Sequence, residues 1–163
     1  MVNAEEYMDG AARRLHEDGS QVSRVQLPGG IALVGYQSKF RARWAATKVH
    51  LFTVLYATVV ATDAQLDMLS RDAVDYAKST KGALRGLQSG LAVIPALVAD
   101  TVTEQARAAA TARPRKQFAV FLLPSIVDLS SGQTLSYQGP ILWGGLYASW
   151  LRARLAAALP PPR

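Results

Sequence analysis

Apolar residues recur along this chain with two different periods, and the switches between them predict its elements. Residues 4–17 carry Met8, Ala11, Ala12 and Leu15 at helical spacing. Asn3 caps them, Glu6 stands three positions on as the other half of a capping box, and Asp18-Gly19 stops the helix. Residues 20–27 alternate weakly through Val22, Val25 and Leu27, Pro28-Gly29-Gly30 turns the chain, and residues 31–36 return as the second strand of a hairpin. Residues 49–61 are almost continuously apolar and rich in β-branched side chains, the pattern of a strand buried on both faces. Thr62 and Gln65 form the capping box of a second helix whose Leu66, Leu69, Ala73, Tyr76 and Ala77 share one face.

Gly82, Gly86 and Gly90 connect that helix to an apolar strand at 91–99, where Pro95 argues against a central, fully paired position or forces a bulge. Thr101 and Glu104 are spaced as a capping box for a short alanine-rich helix that Pro114 ends. Residues 118–123 read as a strand that Pro124 bends and 125–129 continue. Ser130-Ser131-Gly132 then turns into 133–137, a second hairpin. The last helix has Leu142, Trp143, Leu146, Tyr147, Trp150, Leu151 and Leu155 at helical spacing, and Pro160-Pro161-Pro162 makes a stop and a frayed end. The order α-β-β-β-α-β-α-β-β-α, with hairpins at both ends and one βαβ crossover, predicts the α+β class. The expected sheet is single, mostly antiparallel or mixed, of about five to six strands, with helices packed mainly on one face. Length predicts one domain over residues 1–159, followed by a Pro-rich tail at 160–163.

Composition narrows the chemistry without naming one. The 163 residues are 50% hydrophobic and 18% charged, as in a globular chain. The absence of cysteine excludes disulfides, thiolate zinc sites, iron–sulfur clusters and cysteine nucleophiles. The longest apolar runs, 49–61 and 91–99, are shorter than the roughly 20 residues a membrane-spanning helix needs. The acidic opening MVNAEEYMDG lacks the pattern of an export signal, so a cytoplasmic location is expected. Residues 1–75 hold 8 Lys and Arg against 9 Asp and Glu, a balance of −1, whereas residues 76–163 hold 10 against 3, a balance of +7. Such asymmetry points to an acidic partner or nucleic acid, or to solvated helix faces.

Candidate sites are few. His16 and His50 have no carboxylate or second histidine at ligand spacing, so no metal or cofactor is expected. His50 lies in a buried strand and needs polar partners, with Asp100 and Asp128 at strand ends as the acids that a pocket there would recruit. The 39–48 segment interleaves bases with Phe40 and Trp44. Together with the glycine-spaced loop it offers Lys39, Arg41, Arg43, Lys81 and Arg85 for an anion or nucleic acid. Trp143, Tyr147 and Trp150 form an aromatic stripe that either packs on the sheet or joins two copies as a homodimer.

Gln37-Ser38-Lys39, at the end of a strand, resembles the (E/Q)-x-K half of the restriction-endonuclease-like PD-(D/E)xK site, and the order of elements around it is similar to that superfamily's. The resemblance implies a metal-binding acid on the preceding strand, yet residues 21–31 contain no Asp or Glu. What it implies here is that fold without an intact metal site. The expectation that follows is a non-catalytic interaction or structural module, ahead of an anion- or nucleic-acid-binding protein and of an enzyme with a pocket near His50.

Overall fold

Side-chain caps set where the helices begin. In the computed structural model, which describes residues 1–41, 47–81, 89–115, 120–140 and 145–163, helix α1 (Ala4–Glu17) opens with the expected box. Glu6 N donates to Asn3 Oδ1 at 2.9 Å and Asn3 N donates to Glu6 Oε2 at 3.2 Å. Helix α2 (Asp63–Lys81) opens with the reciprocal pair Gln65 N to Thr62 Oγ1 and Thr62 N to Gln65 Oε1, both 3.2 Å. Helix α3 (Glu104–Thr111) starts later than its sequence predicts. The preceding strand runs through Thr101 to Val102, so Thr103 becomes the cap, accepting from Ala106 N at 3.1 Å. Helix α4 spans Gly145–Ala158.

The α+β class holds, with seven strands in one mixed sheet. The strands β1 (Gln21–Leu27), β2 (Gly30–Arg41), β3 (Thr47–Ala61), β4 (Ser89–Val102), β6 (Ser125–Asp128) and β7 (Gln133–Ser136) lie in that spatial order, and β5 (Val120–Leu122) also pairs with β4. Pro124 splits β5 from β6, which raises the count above the five to six expected. The pairs β1–β2, β2–β3 and β6–β7 are antiparallel, whereas β4 is parallel to β3 on one side and to β5 and β6 on the other. There are thus two crossovers, through α2 and through α3, where the sequence predicts one.

Helices cover both faces of the sheet, two on each, and not mainly one. Tyr7, Met8, Ala11 and Leu15 of α1 and Trp150, Leu151 and Leu155 of α4 pack on one face. Leu66, Leu69, Ala73 and Ala77 of α2 with Ala106 and Ala110 of α3 pack on the other. The cause is β4, whose residues 92–94 and 96–99 are all buried apolar side chains facing alternately up and down, so neither face can be left to water.

Pro95 does sit in this central strand, against expectation, and the ladder shows why it is tolerated. Leu123 N donates to Val93 O at 3.0 Å and Leu129 N to Ala99 O at 2.9 Å, so residues of this parity turn their backbone toward β5 and β6. Pro95 shares the parity, and its missing N–H faces the interruption between β5 and β6. The C-terminal tail also differs from a frayed end. Tyr7 Oη donates to Pro160 O at 2.7 Å, and burial pushes that phenol up to about 12 against the weaker opposing effect of Arg14, so it remains a donor.

Candidate functional site

Besides the outer edges of β1 and β7, the ladders leave two inner stretches of strand with one side open among the described residues, at opposite ends of the sheet. The β1–β2 pairing ends at Gln21–Tyr36, so, among the described residues, 37–41 of β2 pair only with β3. The β2–β3 pairing ends at Leu33–Leu55, whereas β3 continues to Ala61. Residues 56–58, 60 and 61 therefore pair with β4 alone among the described residues, and the ladder skips Val59. Ala99 O turns to β6, so its partner Thr58 faces β4 and Ala57 turns outward. Ala61 O accepts from Thr103 N on the β4 side at 3.1 Å, so Val60 also turns outward, the alternation breaking at Val59, which the ladder skips.

The hairpin tip explains the gap. Gly30 has φ +138°, a conformation that side chains disfavour. Tyr56 Oη donates to Gly29 O at 2.8 Å, holding the tip over α2 and away from the line of β3. Between tip and helix lies a cavity of about 200 Å³ bordered by Leu27, Tyr56, Met68, Leu69 and Leu97, with Asp72 among its lining residues. Large apolar side chains around this end stand in water: Val59 is 69% exposed, Ile31 62%, Met68 45% and Val60 43%.

Charge separates the two ends. Asp63 opens α2 just past β3, Asp100 lies on β4 between the partners of Thr58 and Val60, and Glu104 opens α3. With Asp72 these are four carboxylates that have no ion pair among the described residues, while Asp67 and Asp128 nearby are paired to Arg71 and Arg107. This end is negative on a chain of net charge +6. The opposite open edge carries exposed Lys39 and Phe40, with Lys48 across the ladder from Phe40.

The predicted site residues fall as follows. Lys39 is exposed near the end of β2, and Arg41 closes that strand. Arg43, Arg85 and Trp143 lie outside the described residues, as do the side chains of Arg41 and Lys81. Trp150 is buried in the chain's own core and Tyr147 rests half-buried on Phe121, with ring centroids 5.1 Å apart. His50 is buried, its Nδ1 within 2.8 Å of Tyr36 Oη, and its ring lies nearly parallel to that of Tyr36. His16 is exposed in the last turn of α1.

The acids considered for His50 are not beside it. His50 is opposite Leu91 on β4, and Asp100 lies nine residues farther along that strand, about 30 Å away at 3.3 Å per residue. Asp128 pairs with Ala99 at the same far end. There it accepts from Ser130 N at 3.1 Å, Ser130 Oγ at 2.7 Å, Ser131 N at 3.2 Å and Arg107 at 2.7 Å. Burial alone would raise its pKa, but those hydrogen bonds prevail and hold it below the usual carboxylate value.

Gln37 of the Gln-Ser-Lys triplet donates to Asp18 at 3.3 Å and to Ser20 at 3.2 Å, and Asp18 is held by Arg154 of α4 at 2.6 Å. Among the described residues no three His, Asp or Glu side chains come together as a metal-binding group, and no helix is long and apolar enough to cross a membrane. Sequence reasoning did not find the open edge of β3, because the 49–61 run reads as uniformly buried. The only signal was Ala57-Thr58-Val59-Val60 reaching past the return of the hairpin. No known protein family, curated protein or solved structure matches this chain.

Proposed function

We propose that the chain is a non-catalytic interaction module that engages another polypeptide through the far end of its sheet. One observation carries the reading: the open run 56–61 of β3, whose ladder to β4 skips Val59, has neither charge nor proline on it. Natural sheets protect exposed edges with charges, prolines or bulges, because free N–H and C=O groups template further pairing. The open end of β2 follows that rule, with lysine at 39 and arginine at 41. At the open end of β3, Ala57, Thr58, Val59 and Val60 include no charge and no proline, and both valines are exposed. An uncharged apolar edge is costly to solubility unless it is covered in use. The distance of Asp100 and Asp128 from His50 supports the same reading, since the acids that a pocket at His50 would recruit stand at the other end of the sheet.

The test is a selection of random heptapeptides displayed on phage against the full chain and against the double variant Val59→Lys, Val60→Lys, which installs the missing guards. The module reading expects sequences enriched on the parent and absent from the variant. Equal enrichment on both, or none on either, would remove it.

A further inference from the structure

Resting on that reading, we infer that the edge of β3 receives an extended segment of alternating basic and apolar residues, added as an extra strand beside residues 57–61. Backbone geometry sets the form of the occupant. Ala57 and Val60 direct their backbone groups outward on either side of the skipped Val59, and about five residues of extended chain, roughly 17 Å, would span the open run before meeting the hairpin tip. An extended occupant alternates its side chains between the faces of the sheet. On the α2 face they meet Tyr56 and the apolar cavity of about 200 Å³ beside it. Beside the run stand exposed Val59 and, on β4 between the partners of Thr58 and Val60, Asp100.

Charge selects the occupant. Asp63, Asp72 and Asp100 surround the run without an ion pair among the described residues, so lysine or arginine beside them gains attraction, while glutamate or aspartate is repelled. A second copy paired edge to edge about a two-fold axis would bring the same carboxylates of both chains together. The surface is therefore built for a different, basic strand. Val60 O accepts from Thr58 Oγ1 at 3.3 Å, a bond within the run that an incoming N–H would replace.

The experiment uses a capped, fluorescein-labelled Lys-Val-Lys-Val-Lys-Val peptide and the full chain, followed by fluorescence anisotropy at low and high salt. Non-specific attraction is disfavoured from the start, because the chain's net charge of +6 repels this probe. The inference expects saturable binding that weakens several-fold as salt rises, at least tenfold weakening with Val59→Lys, and several-fold weakening with Asp100→Asn. A Glu-Val-Glu-Val-Glu-Val peptide, and a Lys-Val peptide N-methylated on alternate residues, should not bind.

Failure of the basic peptide to bind, equal binding of the N-methylated form, or indifference to Val59→Lys overturns the inference. The two ideas separate cleanly. If the display selection enriches sequences lost with the double lysine variant but those sequences are acidic or uncharged, the module reading stands and the basic strand falls. Light scattering that shows dimers of the parent and monomers of Val59→Lys overturns the basic strand in favour of a second copy.

Discussion

Removing the carboxylate of Asp128 tests how the far end of the sheet is held together. The side chain is 1% exposed and accepts from four groups: the amides of Ser130 and Ser131, the Ser130 hydroxyl, and Arg107 of α3. It closes the β6–β7 turn and ties that turn to the helix on the opposite side of the crossover. A hydrogen bond to a charged group contributes about 1.5–3 kcal/mol. The four are not additive, because the turn amides and the one-third-exposed Arg107 regain water when the acid is lost. Breaking a buried pair costs about 3–5 kcal/mol, and this rehydration places Asp128→Ala near the lower bound, about 3 kcal/mol. For a chain of this size that lowers Tm by about 6–12 °C. Asp128→Asn keeps an oxygen for the turn and loses only the charge, at about 1–2 kcal/mol.

The dependence on pH follows from the depressed pKa. The native carboxylate ionises below its unfolded value of about 3.9, so the stabilisation is fully present above that pH and is lost as pH falls through the native pKa. Urea midpoints for the parent and Asp128→Asn, measured from pH 7 down to pH 3, should lie apart at neutral pH and converge below about pH 4. A parallel pair of curves, or an Asp128→Ala variant within about 0.5 kcal/mol of the parent, would show that the four bonds contribute nothing net.

Other substitutions probe the remaining elements. Gly30→Ala places a methyl group 2.7 Å from the Tyr56 ring at φ +138° and should cost about 2 kcal/mol or more in urea unfolding, whereas Gly19→Ala, at φ +91° with open space around it, should cost about 1 kcal/mol. Trp150→Ala should cost about 3–5 kcal/mol whatever the protein concentration, as a core residue does. A loss that appears only at high concentration would assign Trp150 to an interface between copies. Tyr36→Phe should cost about 1 kcal/mol and move the ring ¹⁵N resonances of His50 but not those of exposed His16. Unchanged His50 signals would show that the hydroxyl does not set its tautomer.

Local chemistry was legible in the sequence wherever it is decided by neighbours in the chain. The boxes Asn3/Glu6 and Thr62/Gln65, the turn at Pro28-Gly29-Gly30 and the bend at Pro124 each act within a few residues, and each stands where its spacing put it. Long-range pairing was not legible. Thr101 has the right spacing to Glu104 for a cap, but pairing with Val60 keeps it in β4 and passes the role to Thr103. Pro95 is unfavourable in a central strand until the break at 123–124 is known to lie opposite its nitrogen. The aromatic stripe of α4 gave its apolar character but not its target, and Trp150 proves to face the sheet.

The open edge of β3 arises from the same non-local cause. β3 is 15 residues long because β4, its parallel neighbour, is 14 and needs a partner along its full length. The outer neighbour β2 is limited by its own hairpin, whose tip is drawn over α2 by Tyr56 and by the conformation of Gly30. A strand matched on one side must outrun a shorter one on the other, so the exposed run is a consequence of how the sheet closes. What the chain then places there is a matter of composition. It puts bases at the end where β2 is open, and valines framed by carboxylates where β3 is open. A surface meant only for water would carry the first pattern at both ends.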